Sequence, residues 1–160
     1  MNHCLALSAV ALALASLLPA AQPRPIELED LFRLKRVADP QVSPDGTRVA
    51  YVVTEVLKDE NRTNADIWIT QADGSGATRK LTASRKRDAS PRWSPDGKWI
   101  AFESARDGET QIFLLPADGG GEARKLTSLS TGASQPVWAP DGKSLAFVSA
   151  VFPEFSTRPF

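Results

Sequence analysis

The sequence predicts an all-β chain, an incomplete β-propeller of about two and a half four-stranded blades, and three observations carry that expectation. A turn phrase recurs, as SPDGTRVAYVV from Ser43, SPDGKWIAFES from Ser94 and APDGKSLAFVS from Ala139. A hairpin phrase recurs with it, closing as RKLT at Thr82 and again at Thr127. The strands between these phrases are apolar on both alternating faces, as in WIAFES and QIFLL, which suits a sheet packed between two neighbours.

The spacing supports one period with one insertion. The turn phrases start 51 and then 45 residues apart, and the hairpin phrases lie 45 apart. Six additional residues therefore fall between Tyr51 and Ile67, in or near LKDENRTNAD. Unrelated hairpins in a sandwich would not impose a single period on turns and strands together.

The chain opens with LALSAVALALASLL, Leu5 to Leu18, followed by PAAQPRP, and no charged side chain of Asp, Glu, Lys or Arg precedes Arg24. An apolar stretch of this length is short for a bilayer span and has the plan of a secretory signal peptide, assigned to residues 1–21. That assignment implies a periplasmic or secreted mature chain with no membrane span after cleavage. It also removes His3 and Cys4, the only histidine and the only cysteine. The mature chain then holds no disulfide, no thiolate nucleophile, no imidazole base and no Cys or His metal site, so neither a cofactor nor a metal is expected.

A helical segment is expected over residues 24–38, with Leu28, Leu31, Phe32 and Lys35 at helical spacing. Pro25 suits a first turn, and Glu27, Glu29 and Asp30 lie near the positive end of the helix dipole. The partial propeller follows over residues 39–160, with blade one at about 40–82, blade two at about 91–127 and the start of blade three at about 136–160. Within a blade, Ser-Pro-Asp-Gly makes a type I turn in which Pro presets its backbone angle and Gly takes the left-handed conformation after Asp. In blade two the turn joins PRW to WIAFES, QIFLL follows, PADGGGEA reverses the chain, and RKLT is the fourth strand. The small residue before the aromatic recurs as Ala50, Ala101 and Ala146, which calls for a close neighbour there.

Functional candidates are few. Basic and acidic residues balance at 19 each, so nothing asks for nucleic acid as partner. Arg79, Lys80, Arg85, Lys86 and Arg87 cluster in RKLTASRKRD and read as a solvated surface. Asp45, Asp96 and Asp141 occur once per blade, and turn chemistry accounts for them. Gly142-Lys143-Ser144 lacks the earlier glycine of a phosphate-binding loop, because Val137 stands there, and DGSGATR fails the dinucleotide pattern at Arg79. Asn61-Arg62-Thr63 is a glycosylation acceptor pattern of use in a eukaryotic secretory pathway. Trp93, Trp99 and Trp138 are expected to pack between blades. The insertion LKDENRTNAD carries the most functional weight, since loops carry function more often than the scaffold beneath them. No G-x-S-x-G occurs, so no catalytic, cofactor-binding or metal residue is assigned.

The three turn phrases, the opening PIELEDLFRLKRVADPQVSPDG and the ending FVSAVFPEF together resemble the PD-type propellers of prolyl-oligopeptidase-family serine peptidases. The likeness is to the acylaminoacyl-peptidase and dipeptidyl-peptidase-like branch, and it covers Ile26 to Phe160. It implies a seven- or eight-bladed propeller that restricts access of peptide substrates, followed by an α/β-hydrolase domain as partner with a Ser, Asp and His triad. None of that triad can be placed on this chain, which is expected to be the N-terminal fragment of such a peptidase. The turn phrases also resemble TolB, a periplasmic propeller that binds envelope proteins without catalysis. Only about twenty residues separate the apolar stretch from the first blade, too few for the small α/β domain that precedes the propeller in TolB.

Overall fold

The computed structural model describes residues 24–150. The signal-peptide assignment at 1–21 and the end of the expected third blade, 151–160, lie outside the described residues.

Among the described residues, two antiparallel four-stranded sheets and one two-stranded sheet follow one another. Sheet one runs β1 (Arg36–Val42), β2 (Arg48–Leu57), β3 (Arg62–Gln71) and β4 (Arg79–Lys80), in spatial order β1-β2-β3-β4. Sheet two repeats this order with β5 (Asp88–Trp93), β6 (Trp99–Ser104), β7 (Gln111–Pro116) and β8 (Arg124–Lys125). The third sheet holds β9 (Ser134–Trp138) and β10 (Leu145–Val148). First strands approach one another, β1 with β5 and β5 with β9, so they form the inner side of an arc. The propeller is incomplete and unclosed.

The turns form as their composition requires. Gly46, Gly97 and Gly142 have φ of 73°, 69° and 68°, and each N–H closes the turn on the carbonyl three residues earlier at 2.9 Å. In the first two turns the serine hydroxyl also accepts from the strand beyond, Arg48 N–H to Ser43 Oγ and Trp99 N–H to Ser94 Oγ, both at 2.9 Å. Ala139 has no hydroxyl to offer at that place in the third. A Cβ on Gly97 would lie 3.7 Å from the Pro44 ring, and one on Gly142 3.6 Å from the Pro95 ring, so successive turns stack across the seams.

The helix is shorter than expected. Residues 24–38 contain α1 only over Leu28–Arg33, and Pro25 precedes it. Glu27 N–H donates to Asp30 Oδ2 at 3.0 Å to start the helix, and Leu34 is already extended at φ −70°, ψ 123°. Arg36, Val37 and Ala38 instead pair with Thr54, Val53 and Val52 of β2. A six-residue helix has too few internal hydrogen bonds to hold residues for which a strand ladder is on offer.

The insertion is also built differently from a loop. β2 and β3 have 10 residues each where β6 and β7 have 6, and only a short 3-10 turn at Lys58–Glu60 and Asn61 joins them. Each strand gains four residues while the connection shortens, so the additional residues lengthen the hairpin itself.

The core lies between sheets. Ala50 and Ile69 of sheet one pack with Trp93, Ile100 and Ala117 of sheet two, and Ile67 packs with Phe102, Phe113 and Leu115. Across the next seam Ala101, Ile112 and Leu114 pack with Ala133, Trp138 and Leu145. The close neighbour anticipated at Ala50 and Ala101 is thus the tryptophan of the following blade. Among the described residues Ala146 has no such neighbour, and it is exposed.

Candidate functional site

Each seam between blades is tied by a repeated polar contact. Trp93 Nε1 donates to the Gln41 carbonyl at 2.9 Å, and Trp138 Nε1 to the Arg92 carbonyl at 3.1 Å. Arg48 reinforces the first seam: it reaches the carbonyls of Ala117 and Gly97 at 3.2 and 3.3 Å and lies 4.9 Å from the Trp93 ring centre. Trp99 packs against the cluster of the second seam as well, half-buried beneath the Arg124 guanidinium at 5.2 Å.

The inner strands share a device that the sequence reading missed. Asp39, Ser90 and Gln135 have φ of 49°, 54° and 53°, and each precedes a proline. Pairing slips at the same place in each sheet, between Ala38 and Gln41, Ala89 and Arg92, and Ala146 and Val148. The bulge explains why a strand tolerates Pro40, Pro91 and Pro136. Their fixed place four residues before the turn proline was the signal. The Asp39 carboxylate accepts from Gln41 Nε2 at 2.7 Å and from Arg92 Nη1 at 2.9 Å, joining the inner strands of blades one and two.

Three buried carboxylates are each countered. Lys80 Nζ meets Asp66 at 2.8 Å, and burial raises the Asp66 pKa despite that partner. Arg106 meets Asp88 at 2.9 Å while its guanidinium packs 4.8 Å from the Phe113 ring centre. Glu103 accepts from Gln135 N–H at 2.8 Å, across the second seam. The turn aspartates behave oppositely: the Ser43 hydroxyl and the Thr47 N–H hold Asp45 down to about 2, and Ser94 with the Lys98 N–H lowers Asp96.

Other candidates of the sequence lie in turns and at a seam. Gly142-Lys143-Ser144 lies in the third stacked turn, and Asp73 in DGSGATR accepts from Ser75 N–H at 2.9 Å as ordinary turn chemistry. A groove of about 470 Å³, lined by Trp99, Leu114, Trp138, Leu145 and Phe147 among others, is part of the second seam. Among the described residues no group of three or more His, Cys, Asp or Glu is placed to hold a metal ion. Among them also, no helix is long and apolar enough to cross a membrane.

The site with most surface character joins two features that are separate in the sequence, the long β2–β3 hairpin and the basic crossover from β4 to β5. Arg62, at the start of β3, donates from Nη1 to the Arg85 carbonyl at 2.8 Å, and Asn64 Nδ2 donates to the Ser84 carbonyl at 2.8 Å. A cleft of about 340 Å³ lies between them, lined by Glu60, Arg62, Thr63, Asn64 and Arg85 to Arg87.

Comparison with known proteins agrees with this architecture. The TolB beta propeller domain family model, PD40, matches residues 32–156. The uncharacterized peptidase YuxL of Bacillus subtilis is 42% identical over 84 residues, which is 52% of this chain and 13% of that protein. The Tol-Pal system protein TolB of Syntrophus aciditrophicus is 40% identical over 67 residues, 42% of this chain and 14% of that protein. The acylaminoacyl peptidase of Pyrococcus horikoshii superposes with a TM-score of 0.59 at 25% identity, covering 72% of this chain and 17% of that structure. The chain thus spans less than a fifth of the length of each of these proteins. The propeller is related both to those of peptidases and to TolB, and the chain belongs to the TolB β-propeller domain family.

Proposed function

We propose that this chain is the non-catalytic propeller portion of an exported serine peptidase, serving as scaffold and as a gate for peptide substrates. The match to the YuxL peptidase carries this reading, because it extends over 84 residues where the TolB matches, at 40–51% identity, extend over 48 to 67. The superposition on an acylaminoacyl peptidase supports it as well. Export rests on the apolar leader, Leu5 to Leu18. The residues of this chain would supply walls and seams, and the Ser, Asp and His of hydrolysis would come from an α/β-hydrolase domain elsewhere in the protein. A propeller mouth admits extended peptides and turns away folded proteins by size alone.

The TolB relatives favour a second reading, a propeller that binds envelope proteins without chemistry. One experiment separates the two. The full-length gene product is treated with a fluorophosphonate reagent and assayed on short peptides and on a folded protein. Covalent labelling with cleavage of the short peptides alone supports the peptidase reading. An unlabelled product that retains envelope lipoproteins in a pull-down establishes the other.

A further inference from the structure

The long hairpin of blade one and the crossover behind it form a braced, basic cleft. Arg62 is fully engaged: Nε and Nη2 each lie 2.7 Å from Glu60 Oε2, and Nη1 holds the Arg85 carbonyl. Asn64, two residues along the same face of β3, holds the neighbouring Ser84 carbonyl, and the Ser84 hydroxyl accepts from Lys86 N–H at 3.0 Å. Consecutive carbonyls of the crossover are therefore fastened to the hairpin, and the following side chains are presented from a fixed backbone.

The charge of this cleft is unbalanced. Arg62, Arg85, Lys86 and Arg87 line it against a single carboxylate, Glu60, which Arg62 already occupies. Arg87 comes no nearer than 3.6 Å to Glu103, and among the described residues neither Arg85 nor Lys86 has an ion-pair partner. Blade two has no counterpart, since its hairpin strands are shorter and its crossover, Leu126 to Ala133, contains no cation. The six inserted residues and the Arg-Lys-Arg run are thus two departures from the repeat that meet at one place. No aromatic side chain lines the cleft, so it offers no stacking platform for nucleic-acid bases.

We infer that this cleft binds the acidic side chains of an extended peptide, with Arg85 and Lys86 as the principal carboxylate partners and Arg62 as the positioning residue. The inference rests on the peptidase reading only for the source of the peptide. Guanidinium and ammonium groups on a fixed backbone select carboxylates in a row over neutral amides of the same size.

The test is fluorescence anisotropy on the full chain, with labelled hexaglutamate and hexaglutamine peptides as probes at physiological salt. Hexaglutamate is expected to bind at least about tenfold tighter, and Arg85→Gln with Lys86→Gln to remove about tenfold of that affinity. Arg85→Glu with Lys86→Glu should remove more, while hexaglutamine binding and the circular dichroism spectrum stay unchanged. Equal binding of the two peptides, or hexaglutamate affinity indifferent to both double variants, overturns the inference. So does complete displacement by a few equivalents of inorganic phosphate, or tighter binding of a single-stranded oligonucleotide. A full-length product without peptidase activity would leave this measurement standing, and loss of peptide binding would leave the peptidase reading standing.

Discussion

The indole N–H of Trp93 crosses the first seam to the carbonyl oxygen of Gln41 at 2.9 Å. The same ring packs with Ala50 and Ile69, so a single side chain supplies both the apolar contact and the polar tie between two blades. Trp93→Phe keeps most of the burial and leaves the carbonyl unpaired, at a cost of about 1 kcal/mol. Trp93→Ala removes the packing too and should cost roughly 3–5 kcal/mol. Urea denaturation of the two variants checks the order: a Phe variant as stable as the parent would show that the hydrogen bond contributes nothing, and equal losses would show that the packing adds nothing to it.

The alanines at the seams make a paired prediction. Ala101 is fully buried within the cluster that Trp138 packs against, whereas Ala146, at the same place one repeat later, is exposed. Ala101→Leu should therefore destabilise by about 1–3 kcal/mol through overpacking, and Ala146→Leu should be near neutral in the 160-residue chain. In a longer protein with a blade packed beyond the third sheet, Ala146→Leu is expected to become costly as well. Melting temperatures of both variants in both proteins decide the matter.

Gly46 sits at φ 73° with open space around it, so a Cβ there meets no neighbour and only the backbone conformation is penalised. Gly46→Ala should cost about 1–2 kcal/mol, and Gly46→Asn less, because asparagine enters the left-handed region more readily. An alanine variant as stable as the parent would mean that the turn relaxes out of this conformation.

Two kinds of carboxylate give opposite pH responses. The Asp45 pKa is lowered from 3.8 to about 2, so the stability it contributes is fully present above 3.8 and is lost as pH falls toward 2. The Asp66 pKa is raised by burial, with Lys80 opposing the shift and Asp88 and Glu55 adding to it, so its contribution is present below 3.8 and declines as pH rises through the raised value. Asp66→Asn should therefore show its largest deficit near pH 3.8 and a narrowing one at higher pH, read from denaturation midpoints across the range. A deficit that widens with pH would mean that the Lys80 ion pair outweighs the desolvation of Asp66.

The period, the turn glycines and the need for a close neighbour at Ala50 and Ala101 were legible because they are local and repeat. The bulges at Asp39, Ser90 and Gln135 were equally periodic, and the prolines that follow them marked the place. The helix was overdrawn at 24–38 because Lys35 continues the spacing, while strand pairing of Arg36 to Ala38 with β2 is a long-range gain invisible to a local pattern. The insertion between Tyr51 and Ile67 was located correctly, yet nothing in its polar composition showed that it would extend two strands. Its meeting with Arg85 depends on the crossover returning past β3, which only the fold reveals. The burial of Asp66, Asp88 and Glu103 was not legible for the same reason, since their partners Lys80, Arg106 and the Gln135 N–H are distant in sequence.

The most direct test is the coding sequence beyond Phe160. The expected result is several further Pro-Asp-Gly repeats, each with a tryptophan or another donor before its turn, then a G-x-S-x-G elbow followed by Asp and His. A message that stops at Phe160, with the purified chain melting cooperatively as a monomer, would contradict it.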